Sequence, residues 1–127
     1  MSLPRLSCPI SEFCRDPRIG LHVIPPRQKE MILIANGNAS RIGIHTSIGD
    51  FAATKDGKTY GPLNTDGAFY NMKMLMFDTK SRPIGILVME IPATSATSEA
   101  DAARQAEALR KEVSEKIPDL EWLFQHS

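Results

Sequence analysis

Two apolar runs, residues 69–77 and 84–91, flank the polar turn Asp78-Thr79-Lys80-Ser81-Arg82-Pro83 and constrain this chain more than any other feature. Each run has the length of a strand, and a connection this short permits only antiparallel neighbours, so the segment predicts a β-hairpin. Side chains alternate along a strand, which places Tyr70, Met72, Met74 and Met76 on one face and Asn71, Lys73, Leu75 and Phe77 on the other. The methionine stripe reads as core, because thioethers fill irregular gaps and no His or thiolate accompanies them. Lys73 stands in mid-strand among apolar neighbours, so it either snorkels to solvent or points into a polar cavity.

Behind the hairpin the period changes to that of a helix, over residues 98–117. Ala102, Ala106, Leu109, Val113 and Ile117 recur at spacings of four, three, four and four, which is one helical stripe. Ser98 with Asp101 resembles a capping box, and Ser95 offers a start one turn earlier. Glu107 with Lys111 and Glu112 with Lys116 are pairs four apart, worth about 0.2–0.5 kcal/mol each on a solvated face. Pro118 ends the helix, and the apolar tail Leu120, Trp122, Leu123 and Phe124 is expected to fold back on the body, since its exposure would invite aggregation.

Upstream, Pro4, Pro9, Pro17, Pro25 and Pro26 forbid long regular elements, and residues 1–18 read as an irregular segment. Residues 19–24 make a short strand and Met31-Ile32-Leu33-Ile34-Ala35 a better one, with the polar connection between them giving a second hairpin. Asn36-Gly37-Asn38 marks a turn. Ser47 can cap a short helix with Asp50 three residues later, and Lys55-Asp56-Gly57-Lys58 is a turn. Thr59 and Tyr60 begin a strand before Gly61-Pro62, and Asn64-Thr65-Asp66-Gly67 turns the chain into the main hairpin.

A chain of 127 residues suits one domain with a real core. Fifteen basic residues balance fifteen acidic ones, which argues against an electrostatic grip on nucleic acid and against a polybasic membrane anchor. No run approaches the length of a membrane-spanning helix, and the N-terminus lacks an apolar stretch of signal-peptide length.

The chemistry-bearing residues are scattered. His22, His45 and His126 show no zinc-like spacing, and the chain has no nucleophile elbow, phosphate-cradling loop or dinucleotide fingerprint. No metal or cofactor is therefore expected. Cys8 and Cys14, the only cysteines, read as inert thiols or as a pair closing a very short loop. Asp50 and Asp78 are a conceivable carboxylate pair, but a cap for Asp50 and a turn-organising role for Asp78 are the plainer readings. Arg41 reads as a loop arginine with the geometry to hold a carboxylate.

The order of these parts resembles the PAS/Cache (profilin-like) group of sensory domains. The likeness lies in Arg41-Ile42-Gly43 after an Asn-rich turn, the short helix around Gly49-Asp50-Phe51, the strand start Gly57-Lys58-Thr59-Tyr60, and Phe77-Asp78 followed by Pro83-Ile84-Gly85. Residues 31–51 and 69–91 carry it. The resemblance implies an α+β fold: a central antiparallel sheet of about five strands, flanking helices and a long C-terminal helix. It also implies a non-enzymatic sensory or ligand-binding module. A small polar metabolite would lie between sheet and crossing helices, near Arg41, Asp50, Tyr60, Tyr70 and Lys73. A protein-interaction or homodimerisation module without a ligand is the alternative. An enzyme built on His45 close to Asp50 is the third.

Overall fold

A computed structural model describes the backbone of residues 10–125, and all their side chains except those of residues 53 and 54. Pairing of Cys8 with Cys14, His126, and the irregular reading of residues 1–9 lie outside the described residues. The elements are α1 (Ser11–Cys14), β1 (Ile19–Val23), β2 (Ile32–Asn36), α2 (Ile48–Asp56), β3 (Tyr60–Leu63), β4 (Phe69–Phe77), β5 (Pro83–Pro92) and α3 (Glu99–Ser114), with 3-10 turns at Ala39–Arg41, Ala93–Ser95 and Glu121–Phe124. The five strands form one sheet in the order β2-β1-β5-β4-β3, and every pairing is antiparallel. The protein is α+β, with helices flanking an antiparallel sheet.

The main hairpin forms as its sequence dictates, with Met72 opposite Met89, Met74 opposite Leu87 and Lys73 opposite Val88. Asp78 organises the turn. Its carboxylate accepts the backbone N–H groups of Lys80 at 2.8 Å and Arg82 at 3.0 Å, and Arg82 Nε donates to it at 2.6 Å. Burial alone would raise this carboxyl, but the hydrogen bonds from Arg82 and Lys80 outweigh it and hold the group below its ordinary range. Asp78 is thus committed to the turn, the plainer of its two readings.

Chain alternation gives the sheet two unlike faces. Met72, Met74 and Met76 join Leu21, Val23 and Leu87 in a core closed by α3 through Ala102, Ala106 and Val113. Each large apolar side chain buried there contributes about 1.5–3 kcal/mol. The alanines bring the helix axis close to the sheet. Ser98 is the cap: its Oγ accepts the Asp101 N–H at 3.1 Å, and Asp101 Oδ2 accepts the Thr97 N–H at 3.0 Å. The tail folds back as expected, with Leu123 buried and Leu120, Trp122 and Phe124 packed against the core. The charge pairs differ from the four-residue pattern, one closing at three residues within the helix and the other going to a tertiary neighbour. Glu107 pairs with Arg110, and Lys116 reaches Glu12 of α1.

Several boundaries depart from the sequence expectation, and α3 stops at Ser114, three residues before the expected end at Ile117. One helical turn, α1, forms between the prolines. Helix α2 runs on to Asp56, and Gly57, at φ 68°, supplies the left-handed stop. Strand β3 continues through Gly61-Pro62 to Leu63, which an edge strand allows because Pro62 owes no N–H to a further neighbour. No helix among the described residues is long and apolar enough to cross a membrane.

Candidate functional site

The opposite face of the sheet is covered by the segment between β2 and β3. Asn36 anchors that segment from inside the fold. Its Nδ2 donates to the carbonyls of Pro17 at 3.0 Å and Ile19 at 2.8 Å, while its Oδ1 accepts the Asn38 N–H at 2.8 Å. Asn38 then accepts the Ser40 N–H at 3.2 Å and winds the 3-10 turn that carries Arg41. The chain next runs back along β2, with Gly43 N–H donating to Leu33 O at 2.8 Å and Thr46 N–H to Met31 O at 3.0 Å. This blocks an otherwise open sheet edge. Ser47 Oγ accepts the Asp50 N–H at 3.1 Å and starts α2.

Helix α2 is fastened to the sheet by an ion pair. Lys73 Nζ lies 2.7 Å from Asp50 Oδ1, and the two side chains are only 32% and 18% exposed. Lys73 therefore settles the choice left by its sequence position, meeting a carboxylate over the sheet. Between the sheet, the Arg41 turn and α2 lies a cleft of about 160 Å³ whose walls include Gly20, His22, Leu33, Arg41, Asp50 and Val88. That is room for about five water molecules at about 30 Å³ each. Gly20 keeps the floor bare, since a Cβ there would stand 2.8 Å from Leu33 Cδ1.

His22 is the most buried ionisable side chain of this cleft, at 6% exposure. Its Nδ1 lies 2.8 Å from Thr46 Oγ1, and among the described residues its Nε2 has no hydrogen-bond partner. Burial pushes the imidazole below its ordinary pKa, the Asp50 carboxylate opposes this, and the Arg41 guanidinium reinforces it. The ring is accordingly neutral at pH 7, able to donate or accept a hydrogen bond but carrying no charge.

The five residues expected to form a site are divided by the fold. Arg41 and Asp50 come together at the cleft. Lys73 contributes through Asp50. Tyr60 sits at the edge strand, 40% exposed, with its hydroxyl donating to Asp56 Oδ2 at 3.2 Å. Tyr70 packs against the α3-side core, on the face that its two-residue alternation with Met72 dictates. His45 lines the cleft as well, but its Nδ1 lies 3.0 Å from Glu30 Oε2, and no contact joins it to Asp50 among the described residues. His22 and Gly20 were missed. The signal was present, since alternation with Leu21 and Val23 puts both on the same face as Leu33.

Elsewhere, a larger groove of about 570 Å³ runs past Ile24, Met31, Ile84 and Leu120 near the hairpin turn. Of its charged members, Asp78 and Arg82 bind each other, and Asp119 and Glu121 lie along the rest of its wall. No group of three or more metal-ligating side chains occurs among the described residues. Comparison of the chain with protein-family models, with curated proteins and with solved structures finds no match.

Proposed function

We propose that the protein is a non-enzymatic small-molecule-binding or sensory module of PAS/Cache-like type, taking a small polar ligand in the cleft between the sheet and α2. The observation that carries this reading is the meeting of Arg41 and Asp50, from separate elements, around a cleft whose floor presents the buried ring of His22. Concave sites with a few convergent polar groups are where small ligands bind. Arg41 makes no ion pair among the described residues, so its guanidinium is available to an anionic or acceptor group. The expected test is a thermal-shift screen of amino acids, carboxylic acids and other small metabolites. At least one should raise Tm saturably, and Arg41→Ala should remove that shift while leaving the unliganded Tm within about 2 °C. No stabilisation by any of them would defeat the reading.

A second reading, a homodimerisation module, is favoured by a different observation. Ile48 is 91% exposed and Phe51, one turn later on α2, is 44% exposed, with Ile44 at 40% just before the helix. Large apolar groups gathered on an outer surface commonly mark an interface.

A further inference from the structure

Among the described residues, His22 uses one of its two ring nitrogens. Nδ1 is engaged by Thr46 at 2.8 Å, whereas Nε2 has no partner among the described residues although the residue is only 6% exposed. Nε2 lies over the bare floor, 3.5 Å from where a Cβ of Gly20 would stand. A molecule in the cleft thus meets an uncharged, directional hydrogen-bonding atom at its base.

The charges around that atom are unequal in availability. Asp50 is balanced by Lys73, Arg18 by Asp16, and His45 faces Glu30. Arg41 on its 3-10 turn has no such partner among the described residues, and it is close enough to His22 to act on its titration. Glu90 of β5, whose backbone N–H donates to Arg18 O at 2.9 Å, lines the cleft with its carboxylate in no ion pair among the described residues. One negative charge on a ligand is welcome beside Arg41, and a second is opposed by Glu90.

We propose that His22 is the specificity-determining residue of the cleft, which takes a small monocarboxylate bearing a hydroxyl group, with the carboxylate held by Arg41 and the hydroxyl by His22 Nε2. This rests on the cleft being a ligand site. A hydroxyl is the group that suits both tautomers. If the Thr46 hydroxyl donates to Nδ1, Nε2 carries the proton and donates to the ligand; if Nδ1 donates to Thr46, Nε2 accepts from it. The volume of about 160 Å³ limits such a molecule to about the bulk of five waters.

The test compares glycolate with acetate, which differ by that hydroxyl alone, in NMR titrations of the full chain at pH 7.5. Glycolate should bind at least fivefold more tightly and move the ring ¹⁵N resonances of His22. His22→Phe should bring the two acids to equal affinity, while His22→Gln, which keeps a hydrogen-bonding end at similar reach, should retain part of the preference. If His22→Phe fails to fold, the wild-type ratio and the ring shifts decide alone. Both acids binding with equal affinity, each weakened by Arg41→Ala, would overturn the role of His22 and leave the cleft as a ligand site. Neither acid binding would overturn the proposal, and the thermal-shift screen would then decide whether the cleft reading survives.

Discussion

His22 lies between Leu21 and Val23 in a strand otherwise given to apolar packing, and its burial has a consequence for acid stability. The folded protein holds the imidazole below its ordinary value of 6.5, chiefly by burial, so the unfolded chain takes up the proton more readily. By linkage, the stabilising contribution of neutral His22 is complete above about pH 6.5 and is lost as pH falls towards the lower folded pKa. The carboxylates held low in the fold, Glu12, Asp66, Asp78 and Asp101, begin to lose their contributions only as pH falls through the ordinary carboxylate values. Tm should therefore fall between pH 7 and pH 5 in the native chain, and His22→Gln should flatten that decline. An unchanged slope in the variant would show that His22 is not the group responsible. At this scale the sequence was half legible. Arg41 and Asp50 were readable from a turn and a capping box, but that neither tyrosine joins them at the cleft was not. Tyr70 follows the methionines into the core by strand alternation, while Tyr60 is fixed at the edge by its bond to Asp56.

Elements with a strong repeating pattern were legible, the hairpin nearly to the residue and the long helix to within three residues at its C-terminal end. The β4–β5 hairpin and α3 carry their own registers, through period two and the Ser98 cap. Helix α1 was hidden because one turn between prolines has no period to detect, and its support is tertiary, through Glu12 and Lys116. Helix α2 was seen only in its first turn, because its residues show little amphipathic contrast: Ile48 and Phe51 face outward, and Asp50 is the residue that reaches the sheet. That outward face makes the dimer reading testable. If two copies associate through α2, sedimentation should show a dimer at high concentration that Ile48→Asp converts to monomer without lowering Tm. A native chain that stays monomeric at high concentration would remove that reading.

Across the whole molecule, one antiparallel sheet separates two unlike environments. The α3 side is continuous and apolar, and a substitution there acts on stability. The α2 side is thinner, with Leu33 and Ile86 buried beside His22, the Asp50–Lys73 pair and the Arg41 turn. Folding thus sets a hydrogen-bonding surface on a rigid sheet, under a cover fastened at Asn36, at Thr46 and at Lys73. Ligand binding at that surface is the central claim, and an amide ¹H–¹⁵N titration with a mixture of small carboxylic acids and amino acids tests it most directly. Saturable shifts should gather at Gly20, His22, Arg41 and Asp50 and spare the groove beside Ile24 and Ile84; shifts confined to that groove, or none at all, would contradict it.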